Sequence, residues 1–179
     1  MNESPLFKSA HDALVFSFNY AGQQSPKTPM TSLMRTAQIG SGKGLSGLDA
    51  AAQAGFILAE VCRLPDEQHN VIVARYDRVT HECKCCGNEV NSEEREAAID
   101  ALSHCVELDG VHRKVRLMIV RKIMCGGKLQ YDLLARQYSL AERSLYRQAA
   151  AVKLKYRKVE NAALVALDNV FFDKKLLVA

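Results

Sequence analysis

Apolar positions recur at helical spacing over most of this chain, and the pattern is densest toward its carboxyl end. Between Leu129 and Leu167, Leu133, Leu134, Ala135, Tyr138, Leu140, Leu145 and Ala149 form one apolar set, interrupted at Ser139-Leu140, where the pattern predicts a sharp corner. The spacing gives a short helix over 128–137 and a long one from 141 onward, with small Ala135 where the two must approach closely. Val115, Met118, Ile119 and Ile123 supply the inward face of a preceding helix, Val111 to Met124, with Arg113, Arg116 and Lys122 outward. Asp109-Gly110 opens that helix and Gly126-Gly127 closes it. These three helices are what a helix-turn-helix domain needs to enclose a small core.

Upstream the signals are also mostly helical. Ser46, with Asp49 three residues on as a short-armed capping box, starts a helix rich in alanine that Pro65 ends. A second helix is expected after Pro65, with Asp66 and Glu67 in its first turn and Val71, Ile72, Ala74, Tyr76 and Val79 as apolar content; the run Val71-Ile72-Val73 is also compatible with a strand. Asn91 or Ser92 caps a third, whose acids come early and whose Ala98, Ile99 and Leu102 make one face. Near the amino end, the alternation of Leu14-Val15-Phe16-Ser17-Phe18-Asn19-Tyr20 reads as a strand or an extended anchor packing on the core. Pro26 and Pro29 then hold the backbone extended, and Gly40-Ser41-Gly42-Lys43-Gly44 makes a link. That link is not a phosphate-binding loop, because Gly44 follows the lysine and no apolar strand precedes it. The chain is therefore expected to be mainly α. Residues 1–45 form an extended arm and linker, 46–110 a helical module with a cysteine knuckle, and 111–179 a basic helix-turn-helix domain with a long last helix.

Charge sharpens this division. The net charge of +4 conceals a net of +10 from Arg113 to Ala179, against −7 from Phe56 to Gly110. A field of the first kind attracts a polyanion. The corner at Ser139 is expected to present Arg143, Ser144, Arg147 and Gln148 outward, side chains that reach base edges and phosphates, while Lys153, Lys155 and Arg157 continue a basic rail for phosphate contacts. The acidic middle reads as a solvated face or as a contact for a basic protein partner.

Six cysteines without a secretion-like start argue for reduced thiols or a metal, and for a cytoplasmic protein. No apolar run approaches the roughly 20 residues needed to cross a bilayer. Cys83 and Cys86 have the two-residue spacer that lets two sulfurs close on one zinc ion, and Gly87 supplies backbone freedom. A full site needs two more ligands: His104 and Cys105 are the nearest candidates, with His81, Cys85 and Cys62 in reserve. Adjacent unpaired thiols in a loop are the competing reading. Catalytic readings find no convergence, since five scattered histidines form no nucleophile elbow or His-Glu-x-x-His pattern, and His81-Glu82 has the wrong spacing for a zinc deaminase.

Ser25-Pro26-Lys27-Thr28-Pro29-Met30, followed by Leu45-Ser46-Gly47-Leu48-Asp49 and Gln53-Ala54-Gly55-Phe56, resembles the amino-terminal region of the lambdoid phage late-gene antitermination proteins, the Q proteins. The mid-chain cysteine knuckle is similar to that group. Leu134-Ala135-Arg136 to Leu145-Tyr146-Arg147 resembles the ending, like region 4 of sigma factors, of other phage antiterminators of this type. The lambdoid proteins carry two Cys-x-x-Cys pairs where this chain has one; Ser139 stands where a turn glycine is usual and Ala141 where a Ser/Thr cap is usual. The resemblance implies a protein that binds double-stranded DNA near a late promoter, engages bacterial RNA polymerase, with sigma factor as a further partner, and makes polymerase read through pauses and terminators. The other reading of the same residues is a helix-turn-helix activator or repressor, dimeric through its long final helix.

Overall fold

The computed structural model describes residues 6–24, 47–108 and 110–177. It is mainly helical, with seven helices among the described residues: α1 (Ala10–Gln24), α2 (Gly47–Val61), α3 (Asp66–Tyr76), α4 (Glu93–His104), α5 (Arg113–Cys125), α6 (Tyr131–Gln137) and α7 (Glu142–Asp173). A two-stranded antiparallel hairpin, β1 (Thr80–Glu82) and β2 (Glu89–Asn91), lies between α3 and α4, with Thr80 opposite Asn91 and Glu82 opposite Glu89. The proline-bearing arm and the Gly40–Gly44 link lie outside the described residues. The chain divides into two compact units, one of Met1–Leu64, Tyr76–Val79 and Leu164–Ala179, the other of Pro65–Arg75 and Thr80–Ala163.

In the first unit, α1 packs on α2. The segment that alternates like a strand is helical instead. Its buried positions are Ala10, Ala13, Leu14, Phe16 and Ser17, a helical face, whereas Phe18 and Tyr20, the other two aromatics of the alternation, are only half-buried. Ser9 Oγ accepts from the Asp12 amide, and Asp168 Oδ1 accepts from the Ala10 amide at 2.6 Å, so two of the orphan donors at the start of α1 have partners. On α2, Ala50, Ala54, Ile57 and Val61 are buried at intervals of four, three and four. The small residues among them permit close approach. Phe7 donates its amide to the Leu176 carbonyl and sets its ring 5.2 Å from that of Phe16.

Glu60 is buried in this unit, and its Oε1 accepts from Lys174 Nζ at 2.8 Å and from Arg63 Nη1 at 2.5 Å. Lys174 also lies 4.5 Å from the centre of the Phe56 ring. The Lys174 hydrogen bond, helped by Arg63 and opposed by burial, holds the Glu60 carboxyl below the ordinary glutamate range.

In the second unit, Val71, Ile72 and Ala74 of α3 are buried, which settles the Val71–Val73 run as helix. Val79, which with Tyr76–Arg78 belongs to the first unit, falls beyond the helix end, its amide held by Asp77 Oδ1. Ser92 caps α4, its hydroxyl accepting from the Arg95 amide. The Arg95 side chain is itself buried, and its Nε donates to the Ala74 carbonyl at 3.0 Å while Nη1 donates to Asn91 Oδ1. α4 packs on α5, with Ile99 and Leu102 of one and Val115, Ile119 and Val120 of the other in the core. Met118 stays exposed, because the buried stripe runs through Val115, Ile119, Val120 and Met124 instead of through Met118 and Ile123. Arg116 is only half exposed, as its Nη1 donates to the Val106 carbonyl. Arg75 Nη1 donates to the carbonyls of Ile123 and Met124, capping the end of α5 with a cation where the helix dipole favours one. Tyr156 of α7 is fully buried with its hydroxyl donating to the Leu102 carbonyl, and burial pushes that phenol well above its usual range.

The Glu60 cluster makes a pH prediction. A carboxyl whose folded pKa is depressed contributes stability that is complete above its unfolded value and is lost as pH falls through the folded one. Thermal melts between about pH 6 and pH 3 are expected to show Glu60→Gln less stable than the native chain at the upper end, with the difference shrinking toward the lower end. A difference that stays constant across that window contradicts the assignment.

Candidate nucleic-acid interface and cysteine cluster

α6 and α7 are joined by the four residues 138–141. The corner closes by two backbone hydrogen bonds: the Tyr138 amide donates to the Leu134 carbonyl and the Leu140 amide reaches back to the Ala135 carbonyl at 2.9 Å. The second bond spans five residues, as in a helix ending on a left-handed residue, and Ser139 has φ +52°. Ser139 thus occupies the glycine conformation without being glycine. Ala141 immediately precedes α7, its carbonyl accepting from the Ser144 and Leu145 amides, and its methyl side chain has no oxygen with which to cap the first amides of the helix.

Three aromatic contacts brace this corner. The Tyr131 and Tyr146 rings lie 4.4 Å apart, Lys122 Nζ sits 5.1 Å from the centre of the Tyr131 ring, and His112 stacks on Tyr138 at 5.5 Å. His112 also caps α5, its Nδ1 accepting from the Lys114 amide. Burial, then the neighbouring Tyr146, raises the Tyr131 phenol above its usual range.

Of the apolar set expected here, Leu134, Ala135, Leu145 and Ala149 are buried and Tyr138 and Leu140 half-buried. Leu133 is 51% exposed. One helical step, 100°, carries it past the inward face that Tyr131, Leu134 and Ala135 occupy. On the first turns of α7, Arg143 and Arg147 are exposed and one helical repeat apart. Ser144 and Gln148 are half-buried, each one step from the buried Leu145 and Ala149, and Gln148 Oε1 is buried without a hydrogen-bond partner among the described residues. They are therefore not turned fully outward. Tyr146 is an aromatic ring on the surface between the two arginines in sequence; an exposed ring of this kind can stack on a sugar or base, and only its place in the 141–148 segment signals it in the sequence.

Farther along α7, Lys153 and Arg157 are exposed. Lys155 differs from them. Its Nζ pairs with Glu67 at 2.8 Å and donates to the Cys105 carbonyl at 2.9 Å, so its charge is already used within the protein.

The cysteine cluster sits on the hairpin loop. The Cys83 amide donates to the Asn88 carbonyl and the Cys83 carbonyl accepts from the Gly87 amide, both at 2.8 Å, and Gly87 has φ +70°. Cys83, Cys85 and Cys86 bring their sulfurs within 4.8 Å of one another, a group that could hold a metal ion. The Cys83 and Cys85 sulfurs are 2.9 Å apart. Hydrogen bonding from Cys85, and then from Cys86, lowers the Cys83 thiol to about 7, while hydrogen bonding with Cys83, and then with Cys86, raises that of Cys85. Neither His104 nor Cys105 belongs to the group. Both lie at the far end of α4, a 12-residue helix and hence about 18 Å long; His104 Nδ1 is hydrogen-bonded to the Asp100 carbonyl. His81 and Cys62 are likewise outside it.

Comparison with known protein families, with characterised proteins and with solved structures finds no match for this chain.

The corner carries two stability predictions. Ser139→Gly relieves a left-handed L-residue and is expected to raise unfolding free energy by about 1 kcal/mol. Ala141→Ser supplies the missing cap and is expected to add about 1 kcal/mol. Urea denaturation measures both, and a loss of stability in either variant contradicts the geometry described for this corner.

Proposed function

We propose that this chain is a transcription antitermination factor of the phage Q type, a non-enzymatic protein of the host cytoplasm. On this reading α6, the 138–141 corner and the start of α7 act as a helix-turn-helix that binds double-stranded DNA near a late promoter. The rest of the chain engages bacterial RNA polymerase, with sigma factor as a further contact, so that polymerase reads through pauses and terminators. The cysteine knuckle holds zinc.

The observation that carries the DNA-binding part is the placement of Arg143 and Arg147, both exposed on one face in the first two turns of α7, directly after a tight corner. They lie within a segment of net charge +10. Guanidinium groups so placed suit bidentate contacts to guanine edges, and the amides at the start of α7, which Ala141 cannot cap, suit a phosphate oxygen. Ser144 and Gln148 stand behind them as supporting contacts. Lys153 and Arg157 suit phosphates farther along the duplex, whereas Lys155 serves the protein's own Glu67 pairing. The antitermination part is supported by the resemblance of residues 25–30, 45–56 and 134–147 to the Q proteins.

A second reading, an activator or repressor that dimerises through α7, is favoured by one observation: Leu154, Val165 and Phe172 on that helix are 57%, 60% and 54% exposed. Run-off transcription on a template with an intrinsic terminator separates the two. Added protein is expected to increase read-through on a template carrying its binding site. Changed initiation with unchanged termination favours the dimeric regulator.

For binding, Arg143→Ala and Arg147→Ala are each expected to weaken affinity for the specific site by roughly 1–3 kcal/mol, with little effect on other sequences. The double variant Lys153→Ala with Arg157→Ala is expected to weaken binding on any sequence and to flatten the dependence of affinity on salt. Lys155→Ala should leave the salt slope close to native. An unchanged slope in the double variant overturns the phosphate assignment.

A further inference from the structure

We infer that the knuckle is a three-thiolate site, Cys83, Cys85 and Cys86 holding one zinc ion, whose fourth position faces solvent and takes an exchangeable outside donor. This deepens the zinc reading of the knuckle and rests on it, and it is independent of DNA binding.

Three observations lead there. A tetrahedral zinc with bonds of about 2.3 Å needs sulfurs about 3.8 Å apart, and the three sulfurs lie within 4.8 Å of one another, the closest pair at 2.9 Å. Small side-chain rotations on an exposed loop bring them to that spacing. Second, among the described residues no further histidine, cysteine or carboxylate joins the group, and the pair at His104 and Cys105 is held at the opposite end of α4. A closed structural site would need a fourth protein ligand; three ligands with one open position is the arrangement that accepts water or an incoming donor. Third, Cys85 and Cys86 are exposed and Cys83 is half-exposed, so the open side of the ion meets solvent. Cys83 is fixed by its two backbone hydrogen bonds, and the other two thiols follow on the same loop.

The donor set also defines which ions compete. Three sulfurs and no oxygen or nitrogen favour soft, thiophilic ions over magnesium, calcium or manganese. Binding releases thiol protons to the buffer, with no change in oxidation state. The helical units have their own buried cores, so removal of the ion leaves them folded, unlike a small zinc finger.

The test uses the reduced full-length protein, titrated with zinc against a chromogenic chelator and with cobalt(II) as a spectroscopic probe. One ion per chain is expected. Cys83→Ser, Cys85→Ser and Cys86→Ser should each weaken binding by more than about tenfold, and His104→Ala and Cys105→Ser should bind as the native chain does. Adding imidazole to the cobalt form should change its absorption without releasing the ion, and chelation should leave the helical circular dichroism unchanged. No binding by the native chain overturns the zinc reading itself. Binding that survives Cys85→Ser, that is lost in His104→Ala or Cys105→Ser, or whose cobalt spectrum ignores imidazole keeps the zinc reading and overturns the open three-thiolate site.

Discussion

Leu145, Ala149, Val152, Tyr156, Ala163, Leu167 and Phe171 follow one another at intervals of three, four and seven along α7, and burial of that stripe is the constraint on which both units depend. A helix of 32 residues is about 48 Å long, and in a folded protein most of its stability comes from burying an apolar face, not from intrinsic propensity. Its first 22 residues belong to one unit and the remainder to the other. Tyr156 on the stripe takes a polar bond to the Leu102 carbonyl inside one core, and Phe171 fills the other. The opposite side of the same helix is thereby committed to solvent, which is why Arg143 and Arg147 are available to a ligand. Their exposure is a consequence of where Leu145 and Ala149 must point.

Cations in this protein fall into two groups, and position decides which. Arg75, Arg95, Arg116, Lys155 and Lys174 are spent on internal carbonyls or carboxylates. Arg143, Arg147, Lys153 and Arg157 project from α7 into solvent. Net charge therefore overstates the field offered to a polyanion: a basic residue counts toward binding only if no carboxylate or helix end of its own chain has claimed it.

The helices from Gly47 onward were legible in sequence, because alanine stripes, Pro65, Ser92 and Gly126-Gly127 mark faces and ends at short range. The segment 14–20 was not: three aromatics at alternate positions imitate a strand, and of the residues that bury the helix only Leu14 and Phe16 are large and apolar, while Ala10, Ala13 and Ser17 are small or polar. Cys83 and Cys86 were legible from their spacing, but Cys85 carries no template of its own. Proximity in sequence favoured His104 and Cys105, but they stand at the carboxyl end of α4, outside the group that the three loop cysteines form. The internal tasks of Arg95 and Lys155 depend on partners 21 residues or more distant in the chain, a range at which spacing carries no information. The Ser139 corner is the most instructive case, since a departure from the usual turn residue nonetheless occupies the left-handed conformation that the turn requires.

On the proposed function, duplex DNA is met by the start of α7. Amide hydrogen exchange of the native chain, alone and saturated with a duplex fragment selected from the encoding genome, tests this most directly. New protection is expected to concentrate in residues 138–158. Protection confined to the hairpin or to α1 and α2, with 138–158 unchanged, would contradict it.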